Sequence, residues 1–432
     1  MKYSAPRGTQ DILPAGIAAW QELESTARDA FDRYGYREIR TPIFEQKELF
    51  LRSVGEQTDI VQKEMYTFTD RKERAFALRP EGTASVIRAY IENQLWNERP
   101  LQKLYYIGPM FRYDRPQKGR YRQFHQIGAE AVGSLNPLVD AEVIALMGDI
   151  LRDAGVTRLR LHLNSLGDAE TRAAYSEVLR AYFGARESDL CADCRNRLSV
   201  NPMRVLDCKV ESCQALSAGI PPIEDSLNQS SREHYEAVMR WLETLGVEFV
   251  KDPRLVRGLD YYTRTAFEYH HEGLGGSVAL GGGGRYDRLI ADCGGPDTPS
   301  IGFSLGQERV LLAASQDREL ASEAAAGKKR NLGFYLVYMG EALLEPAVRL
   351  SRQLRNSVRV EMDPEPRSLK AQFRQADNLN LSHALILGER ELAEGIFQVK
   401  NLSSGSQKAF SRERLESDPL AVLREVDAQG AE

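Results

Sequence analysis

FRYDRPQKGRYRQFHQ, residues 111–126, joins two strand-like stretches of the chain through a long basic loop. Residues 103–112 precede the loop's centre and residues 121–132 follow it, and alternate side chains of a strand share one face. One face of the second stretch carries a cation, an aromatic ring, an amide, a glycine and a carboxylate: Arg122, Phe124, Gln126, Gly128 and Glu130. This row suits the floor beneath a polar ligand, although on pattern alone the solvated face of an antiparallel sheet is the more ordinary explanation.

The loop also gives the chain a local basic surface. The chain has 57 lysines and arginines against 62 aspartates and glutamates, a net charge of −5. A nucleic-acid contact in such a protein needs a local basic patch. Between residues 112 and 122 five basic residues stand against one acid, Asp114, so this segment is the candidate for that contact.

Length and composition narrow the class of protein. The 432 residues allow two or three domains, and the hydrophobic content of 42% and charged content of 28% are typical of a soluble globular protein. The sequence has no apolar run of about 18 residues, and residues 1–10 lack the apolar core of a secretory signal. Five cysteines do not suggest a disulfide scaffold. We therefore expect a cytoplasmic protein without a membrane span.

Hydrophobic periodicity predicts the elements of residues 1–315. Amphipathic helices are expected over residues 17–34 and through 144–151, and the region 165–250 is mostly helical in pattern. Strands are expected over residues 36–44 (interrupted by Pro42), 103–112, 121–132, 263–270 and 277–281. The four glycines 281–284 are interpreted as a turn, and a close approach of their backbone to a ligand is a further interpretation. A helix follows Gly306.

The pattern changes beyond residues 316–330, a charged and alanine-rich segment that we interpret as a linker with some helix. After it, strands at 332–338, 358–362 and 383–387 alternate with helices at 342–355 and 369–378. Such alternation predicts a small α/β domain with a largely parallel sheet. We therefore expect two domains, residues 1–320 with the mostly helical insertion at about 165–250, and residues 331–432.

Several segments resemble the class II aminoacyl-tRNA synthetases in their histidine-specific form. Residues 111–126 resemble motif 2 of that class. The others are residues 6–14 (PRGTQDILP), 78–84 (LRPEGTA), 255–262 (LVRGLDYY) with 280–287 (LGGGGRYD), and 302–309 (GFSLGQER, motif 3). They stand in the family's order and spacing, and LKAQF at 369–373 and LGE at 387–389 extend the match. The resemblance thus covers nearly the whole chain.

The resemblance implies a fold and an activity. The fold is an α+β catalytic domain with a six-stranded antiparallel sheet, plus a C-terminal α/β anticodon-binding domain. The activity is activation of L-histidine by ATP to histidyl-adenylate, then transfer to the 3′ end of the histidine tRNA, with Mg²⁺ on the β- and γ-phosphates. A homodimer is also implied, with motif 1 (helix 17–34 and the Pro42 strand) at the interface, where Trp20 and Phe31 would supply apolar contact.

The resemblance also implies residues that bind ATP. Arg112 would hold the α-phosphate, Arg309 would lie against the adenosine and the γ-phosphate side, and Phe124 would stack on adenine. Arg257 would place a fixed cation opposite Arg112, so Arg112, Arg257 and Arg309 are the expected catalytic residues. The full ATP-binding set is Arg112, Asp114, Arg120, Phe124 and Arg309. For each arginine taken singly, a surface salt bridge remains the alternative.

Recognition of histidine is implied at a second group of residues. Glu130 and Tyr262 would face the imidazole with Tyr261 alongside, and Gly128 would leave room for the ring. The full histidine-binding set is Glu81, Thr83, Arg112, Gln126, Glu130, Arg257, Tyr261 and Tyr262, of which Glu81, Thr83 and Gln126 would hold the α-ammonium.

Contact with tRNA is expected at two places. Arg115 and Gln117 in the motif 2 loop would read the acceptor end, while Lys118 and Arg120 would touch phosphate or ATP. In the second domain Arg367, Lys370 and Arg374 are candidates, with a solvated helix face as the alternative. Asp114 stands where the family has Glu; the charge is kept, but the reach is one methylene shorter.

Four cysteines in the insertion form the pattern Cys191-x2-Cys194-x13-Cys208-x4-Cys213. The count and spacing resemble a tetrahedral zinc site, with free thiols in a small core or disulfides as the alternatives. Cys293 and His125 are interpreted as structural, and the pair His270–His271 as lying at a solvated strand end.

Three other functions compete with the ligase. A histidine-sensing regulatory paralogue of ATP phosphoribosyltransferase typically loses the anticodon-binding domain and parts of the arginine motifs, which this chain keeps. A pseudo-synthetase domain that senses uncharged tRNA is normally fused to a kinase, and no kinase motif occurs here. Another class II synthetase would lack the Tyr261-Tyr262 and 281–287 motifs.

Overall fold

The computed structural model of the protein describes residues 3–55, 58–117, 119–274, 279–322, 330–365 and 367–429. The chain divides into two compact units, Met1–Ala324 and Ala325–Glu432. In the described residues no helix is both long and apolar enough to cross a membrane.

The first unit holds eleven strands and ten α-helices among its described residues. The strands are β1 Arg37–Glu38, β2 Phe44–Gln46, β3 Thr67–Thr69, β4 Ala75–Leu78, β5 Gln102–Phe111, β6 Gln123–Val132, β7 Leu159–Ser165, β8 Val250–Lys251, β9 Thr263–His271, β10 Ala279–Arg285 and β11 Ser300–Gly306. The helices are α1 Pro14–Arg33, α2 Lys47–Val54, α3 Thr83–Glu92, α4 Pro137–Asp153, α5 Ala169–Gly184, α6 Ala192–Val200, α7 Glu211–Ser217, α8 Gln229–Thr244, α9 Leu289–Asp292 and α10 Gln307–Ser322. Helices α5 to α8 confirm the helical pattern of the insertion, and α10 covers part of the expected linker.

The main sheet has eight strands in the order β1-β5-β6-β11-β10-β9-β7-β8. Its six central strands pair antiparallel, whereas β1 and β8 add parallel pairings at the two edges. The expectation of a six-stranded antiparallel sheet was therefore wrong in extent, and the sheet is mixed. Each edge strand has only two residues, too few to leave a period-two pattern in the sequence.

The predicted strand over residues 36–44 is instead split between two sheets. Only Arg37–Glu38 joins the main sheet, and Phe44–Gln46 pairs with β4 in a separate three-stranded sheet, β2-β4-β3. Pro42 lies in the gap, because a proline has no N–H to donate to a ladder.

Helix α1 packs its apolar face against the core of the first unit. Leu23, Ala27 and Phe31 recur at four-residue steps and are buried in the sheet's core. The Phe31 ring stacks on Tyr105 with centroids 4.2 Å apart, and Trp20 meets the His125 ring edge-on at 5.0 Å. The expectation that Trp20 and Phe31 supply a subunit contact was wrong, because both side chains are already covered within the unit.

The glycine run 281–284 lies inside strand β10, so the expected turn was wrong. A Cβ on Gly283 would lie 2.0 Å from the Gly302 carbonyl oxygen, and one on Gly282 would lie 2.5 Å from the Phe267 oxygen. The neighbouring strands approach β10 so closely that only glycine fits.

The second unit is a small α/β domain. Its strands are β12 Asn331–Tyr338, β13 Val360–Met362, β14 Leu381–Leu387, β15 Ile396–Asn401 and β16 Gln407–Ser411, and its helices are α11 Leu344–Leu354, α12 Leu369–Asn378, α13 Glu389–Glu394, α14 Arg412–Ser417 and α15 Pro419–Gln429. The sheet order is β13-β12-β14-β15-β16, parallel over the first three strands and antiparallel over the last two. The expected largely parallel sheet was thus wrong for its last two strands, β15 and β16, which are not among the predicted strands.

Candidate active site

A cavity of about 960 Å³ opens on one face of the main sheet. Strands β6, β7, β9, β10 and β11 contribute to its lining. The motif 2 loop, residues 252–262 and the helical insertion contribute as well, as do residues 59–64 and the starts of α3 and α10. The cavity brings together eleven of the residues expected to bind histidine or ATP: Glu81, Thr83, Arg112, Asp114, Arg120, Phe124, Gln126, Arg257, Tyr261, Tyr262 and Arg309.

Three arginines of the cavity, Arg112, Arg120 and Arg309, lie near one another, and few carboxylates neutralise their charge. Burial, together with the charges of Arg120 and Arg112, lowers the pKa of Arg309 to about 10. Backbone carbonyls fix the Arg309 guanidinium, Gly119 at 3.1 Å and Ala279 at 2.8 Å. Asp114, 3.2 Å from Arg120, is the one carboxylate in an ion pair with these arginines among the described residues. Such a cluster is stabilised by a bound polyanion such as a triphosphate.

Arg112, the member of this cluster that belongs to the motif 2 loop, is held by a side-chain hydrogen bond. Its Nε donates to the Pro80 carbonyl at 2.8 Å, and its guanidinium lies 5.4 Å from the Phe124 ring centroid. Within the described chain the other two guanidinium nitrogens have no hydrogen-bond partner, so they can take phosphate oxygens.

Arg257 also lines the cavity, and it is held by an acidic partner that sequence reasoning missed. Its guanidinium donates to Glu268 and lies 5.5 Å from the Tyr262 ring centroid. Burial would lower the pKa of Arg257, but the Glu268 carboxylate raises it above its ordinary value. The buried Arg257 Nε has no hydrogen-bond partner among the described residues. The arginine is thus a permanently charged group with one donor to spare.

Two histidines extend this arrangement. The second carboxylate oxygen of Glu268 pairs with His270 Nε2 at 3.0 Å, the His270 ring packs on His162 at 4.6 Å, and His162 pairs with Asp252 at 3.0 Å. All four side chains line the cavity. Alternation along β9 puts residues 268 and 270 on one face, and this was the signal that could have found them.

The expectation that His270 and His271 lie at a solvated strand end was wrong. His270 lines the cavity, and His271 is buried with its Nε2 3.1 Å from Asp317. His125 agrees with its structural interpretation, since its Nδ1 lies 3.1 Å from Glu308. Cys293 is half-buried against the core of Tyr90 and Tyr286.

A buried acidic pair marks the expected histidine pocket. Glu81 caps helix α3 by accepting from the backbone of Thr83 at 2.7 Å and Ala84 at 2.9 Å. Glu130 lies beneath the lining and accepts from the Thr83 hydroxyl at 2.7 Å and from the Tyr286 hydroxyl. Burial raises the pKa of Glu130 to about 8, against the opposing effect of these two donors. Tyr286 belongs to the quoted 280–287 segment but had been given no role.

The room expected beside Gly128 is already filled. A Cβ on Gly128 would lie 2.3 Å from Cζ of Tyr106, and one on Gly82 would lie 2.2 Å from Cε2 of the same ring. Gly128 therefore accommodates the buried Tyr106 rather than a ligand ring. Nothing in the alternation of β5 distinguishes this tyrosine from an ordinary core residue.

Gln126 carries an unused acceptor in the cavity. Its amide nitrogen donates to the Ser304 hydroxyl at 3.3 Å, while its buried Oε1 has no hydrogen-bond partner among the described residues. A buried acceptor without a partner is costly unless a ligand supplies the donor. An ammonium group would do so.

The tip of the motif 2 loop lies outside the cavity. Arg115 and Gln117 are exposed, and Gln117 bridges to Arg120 across the loop. Asp114, which stands where the family has the longer Glu, accepts hydrogen bonds from the Arg115 backbone at 2.6 Å and from the Arg120 side chain. It therefore anchors the base of the loop. Lys118 lies outside the described residues.

The four cysteines of the insertion, Cys191, Cys194, Cys208 and Cys213, also come together. Their sulfur atoms all lie within 4.8 Å of one another, and Cys191 and Cys208 form part of the cavity wall.

The raised pKa of Glu130 predicts a pH effect on stability. A carboxyl whose folded pKa lies above its unfolded value stabilises the fold below the unfolded pKa, and this stabilisation is lost as the pH rises through about 8. Between pH ~6 and ~9 we therefore expect the free energy of unfolding of the wild type to fall relative to that of Glu130→Gln, which cannot ionise. Chemical denaturation across this range measures the difference, with the exposed Glu272→Gln as control. Parallel curves for wild type and Glu130→Gln would contradict the assignment.

Comparison with known proteins identifies the family. The family profile described as Histidyl-tRNA synthetase matches residues 8–310, and that described as Anticodon binding domain matches residues 334–418. A protein named histidine–tRNA ligase from Anoxybacillus flavithermus is 50% identical over 98% of this chain and all of its own length. The crystal structure of apo histidyl-tRNA synthetase from S. aureus is 40% identical, covers 96% of this chain and 99% of that one, and superposes with a TM-score of 0.78.

A third similar protein, also of known structure, has a name that gives both the ligase and the regulatory subunit. It is an ATP phosphoribosyltransferase regulatory subunit/histidyl-tRNA synthetase from Bacillus halodurans C, with a TM-score of 0.65 over 90% of this chain and 99% of its own. At 22% identity this likeness shows the fold alone. The match over residues 8–310 and the half-identical relative decide the matter: the chain belongs to the histidyl-tRNA synthetase family of class II aminoacyl-tRNA synthetases.

Proposed function

We propose that this chain is a histidine–tRNA ligase, and that it activates histidine with ATP in the cavity on the main sheet. The relatives at about half identity carry that name over nearly their full length. The observation that carries the site assignment is that one cavity brings together two kinds of group. Its lining includes the crowded cations of Arg112, Arg120 and Arg309. It also includes Gln126, whose Oε1 has no hydrogen-bond partner among the described residues.

The chemistry follows from these charges. The histidine carboxylate attacks the α-phosphorus, pyrophosphate leaves with the bond electrons, and negative charge builds on the α-phosphate oxygens in between. Arg112 and Arg257 are two fixed guanidinium groups for that charge, and each has a donor without a partner in the part of the chain that the structure describes. Fixed donors need no reorganisation during the reaction, and for this reason they lower the barrier. Phe124 offers a flat face for the adenine beside Arg112.

Histidine itself is proposed to lie beside Gln126 and Glu81, which both line the cavity. Its ammonium group would donate to Gln126 Oε1 and to the carboxylate of Glu81, which lines the cavity. Tyr261, Tyr262 and Glu130 would surround the imidazole. A site that satisfies both ring nitrogens rejects amino acids that leave those buried groups unpaired.

Magnesium is implied by the family, and the residues fit it. Glu64 lines the cavity near Arg112 and Asp114, and among the described residues its side chain has no hydrogen-bond partner. A carboxylate together with phosphate oxygens and water is the ligand set that Mg²⁺ prefers. Glu64 would hold the ion, which when bound neutralises charge on the β- and γ-phosphates.

The tRNA would be contacted from both units. Arg115 and Gln117 are exposed at the loop tip, as acceptor-end readers must be. In the second unit Lys370 and Arg374 are exposed and four residues apart on α12, so they share a face. Arg367 precedes the helix, whose N-cap is Ser368, and it pairs with Asp363. Arg367 therefore lies outside the helix and does not share this face.

The ligase and the regulatory paralogue differ in measurable activity. All three expected catalytic arginines line the cavity, and the anticodon-binding profile matches residues 334–418, which favours the ligase. We expect ATP–pyrophosphate exchange with histidine and none above background with the other nineteen amino acids. Exchange with a different amino acid, or none at all, would overturn the proposal. A cytoplasmic location goes with this role.

We also propose a homodimer, through a surface other than α1. Ile43, Phe44 and Phe68 are about half exposed, and the rings of Phe44 and Phe68 lie 5.9 Å apart on the small sheet next to Pro42. An exposed aromatic patch of this kind marks a contact surface. Sedimentation at micromolar concentration should give about twice the 48.6 kDa chain mass. Phe44→Glu/Phe68→Glu should give monomer, and Val348→Glu, an exposed apolar position in the second unit, should not. A monomeric wild type would contradict the proposal.

A further inference from the structure

The insertion contains a second candidate site, independent of the proposed histidine chemistry. We propose that Cys191, Cys194, Cys208 and Cys213 bind one Zn²⁺ ion. Cys191 and Cys194 bracket the start of helix α6, Cys213 lies in α7, and Cys208 lies in the segment between them. The fold thus brings two short helices and their connection to a single point.

The spacing of the sulfur atoms fits a tetrahedral ion. At a Zn–S distance of about 2.3 Å, the ligand sulfur atoms of a regular tetrahedron lie roughly 3.8 Å apart. Here all four lie within 4.8 Å of one another, and the Cys191 and Cys208 sulfur atoms are 3.9 Å apart. A disulfide requires about 2.05 Å, and all four thiols are free.

Backbone groups are directed at the sulfur atoms as well. The Cys191 N–H donates to the Cys213 sulfur at 3.3 Å, and the Val210 N–H donates to the Cys208 sulfur at 3.4 Å. Such donors stabilise a thiolate more than a thiol, because the charge is on the acceptor. They also orient the ligands around the ion, as outer hydrogen bonds do in metal sites.

Three buried thiols and the partly exposed Cys191 do not need this geometry merely to fill a core. Helices α6 and α7 have only nine and seven residues, and short helical segments are commonly held by a metal. The soft, all-thiolate donor set selects zinc over the hard cations. Arg197 lies one turn after Cys194 and supplies a cation near the net negative Zn(Cys)₄ centre.

The site would order one wall of the active cavity. Arg197 donates to Asp59 at 2.9 Å, and Arg204 reaches the same carboxylate at 3.3 Å. These three side chains and the sulfur-bearing Cys191 and Cys208 all line the cavity. Loss of the ion would therefore loosen the wall that faces the ATP-binding cations.

Metal analysis of the full-length protein tests the proposal. After growth with added zinc and extensive dialysis we expect one zinc per chain by mass spectrometry of the metal, and the same value for Cys293→Ser, which lies outside the cluster. Cys194→Ser and Cys213→Ser should each lose most of the zinc. Wild type without zinc, or serine variants that keep the wild-type amount, would overturn the site.

A second measurement does not depend on the folding of the variants. Wild-type protein stripped by chelator and titrated with Co²⁺ should develop the visible bands and the sulfur-to-metal charge-transfer absorption of a tetrahedral all-thiolate site, with a stoichiometry of one. Added Zn²⁺ should abolish both and protect four thiols from a thiol reagent. Thiols that react equally fast with and without Zn²⁺, or iron and sulfide in the purified protein, would contradict the zinc assignment.

Discussion

Replacement of Arg257 by alanine is expected to lower the rate of histidyl-adenylate formation by about a hundredfold or more. Arg257 is a largely buried cation that lines the cavity, and its Nε has no hydrogen-bond partner among the described residues. Its removal takes away a charge that we assign to the α-phosphate in the transition state. Histidine affinity should change less, because the substrate carries little of that charge before the attack. Single-turnover adenylation in excess ATP measures the rate directly.

The partner of Arg257 supplies the controls for this experiment. Arg257→Ala also leaves Glu268 without its arginine partner, although His270 still contacts the carboxylate. The double variant Arg257→Ala/Glu268→Gln therefore separates loss of the cation from the effect of the remaining anion. The double variant should remain as slow as Arg257→Ala if the cation itself stabilises the transition state. Arg160→Ala removes an exposed arginine that pairs with Glu272 at 2.9 Å on the same sheet, and it should leave the rate unchanged. An effect of Arg257→Ala on histidine binding alone would show that the assigned role is wrong.

Removal of the second unit should separate the two half-reactions. Truncation after Ala324 cuts at the boundary between the units and leaves helix α10, which ends at Ser322, complete. Every group that we assign to adenylation lies at or before Arg309, so ATP–pyrophosphate exchange should stay within a few-fold. Aminoacylation should fall by two or more orders of magnitude, on the order of the loss caused by removing several phosphate contacts.

The second unit must bind tRNA through a local patch. Residues 331–432 hold 13 basic against 15 acidic side chains, so the unit has no general attraction for RNA. Lys370→Ala/Arg374→Ala should therefore weaken charging of tRNA while Arg349→Ala, an exposed arginine paired within α11, should not. Circular dichroism of the truncated chain checks that the first unit is folded. Full charging activity of a folded, truncated chain would contradict the role of the second unit.

The sequence predicted the structure best where a hydrophobic pattern and a family motif occur in the same segment. Strands β5 and β6 were predicted to within two residues because a long alternating row flanks the basic loop, and Leu369–Asn378 was predicted with its full bounds. The segments that resemble the family also predicted which side chains gather in one cavity, since eleven of them line it.

The failures have physical causes that a linear pattern does not contain. Four consecutive glycines usually indicate a turn, but here each faces a neighbouring strand that leaves no room for a Cβ. The apolar face of α1 has the same periodicity whether it packs on its own sheet or on a partner, and the structure packs Phe31 on Tyr105. Tyr106 fills the space beside Gly128 from a strand distant in sequence. Each outcome depends on a contact across the sheet, which is decided only when the strands assemble.

The most direct test of the central claim is ATP-dependent charging of histidine tRNA by the full-length protein at low salt. We predict that radiolabelled histidine becomes acid-precipitable on the histidine tRNA, that no other tRNA is charged, and that charging weakens steeply as salt rises. A protein that binds histidine yet charges no tRNA under these conditions would contradict the ligase function and support the regulatory alternative.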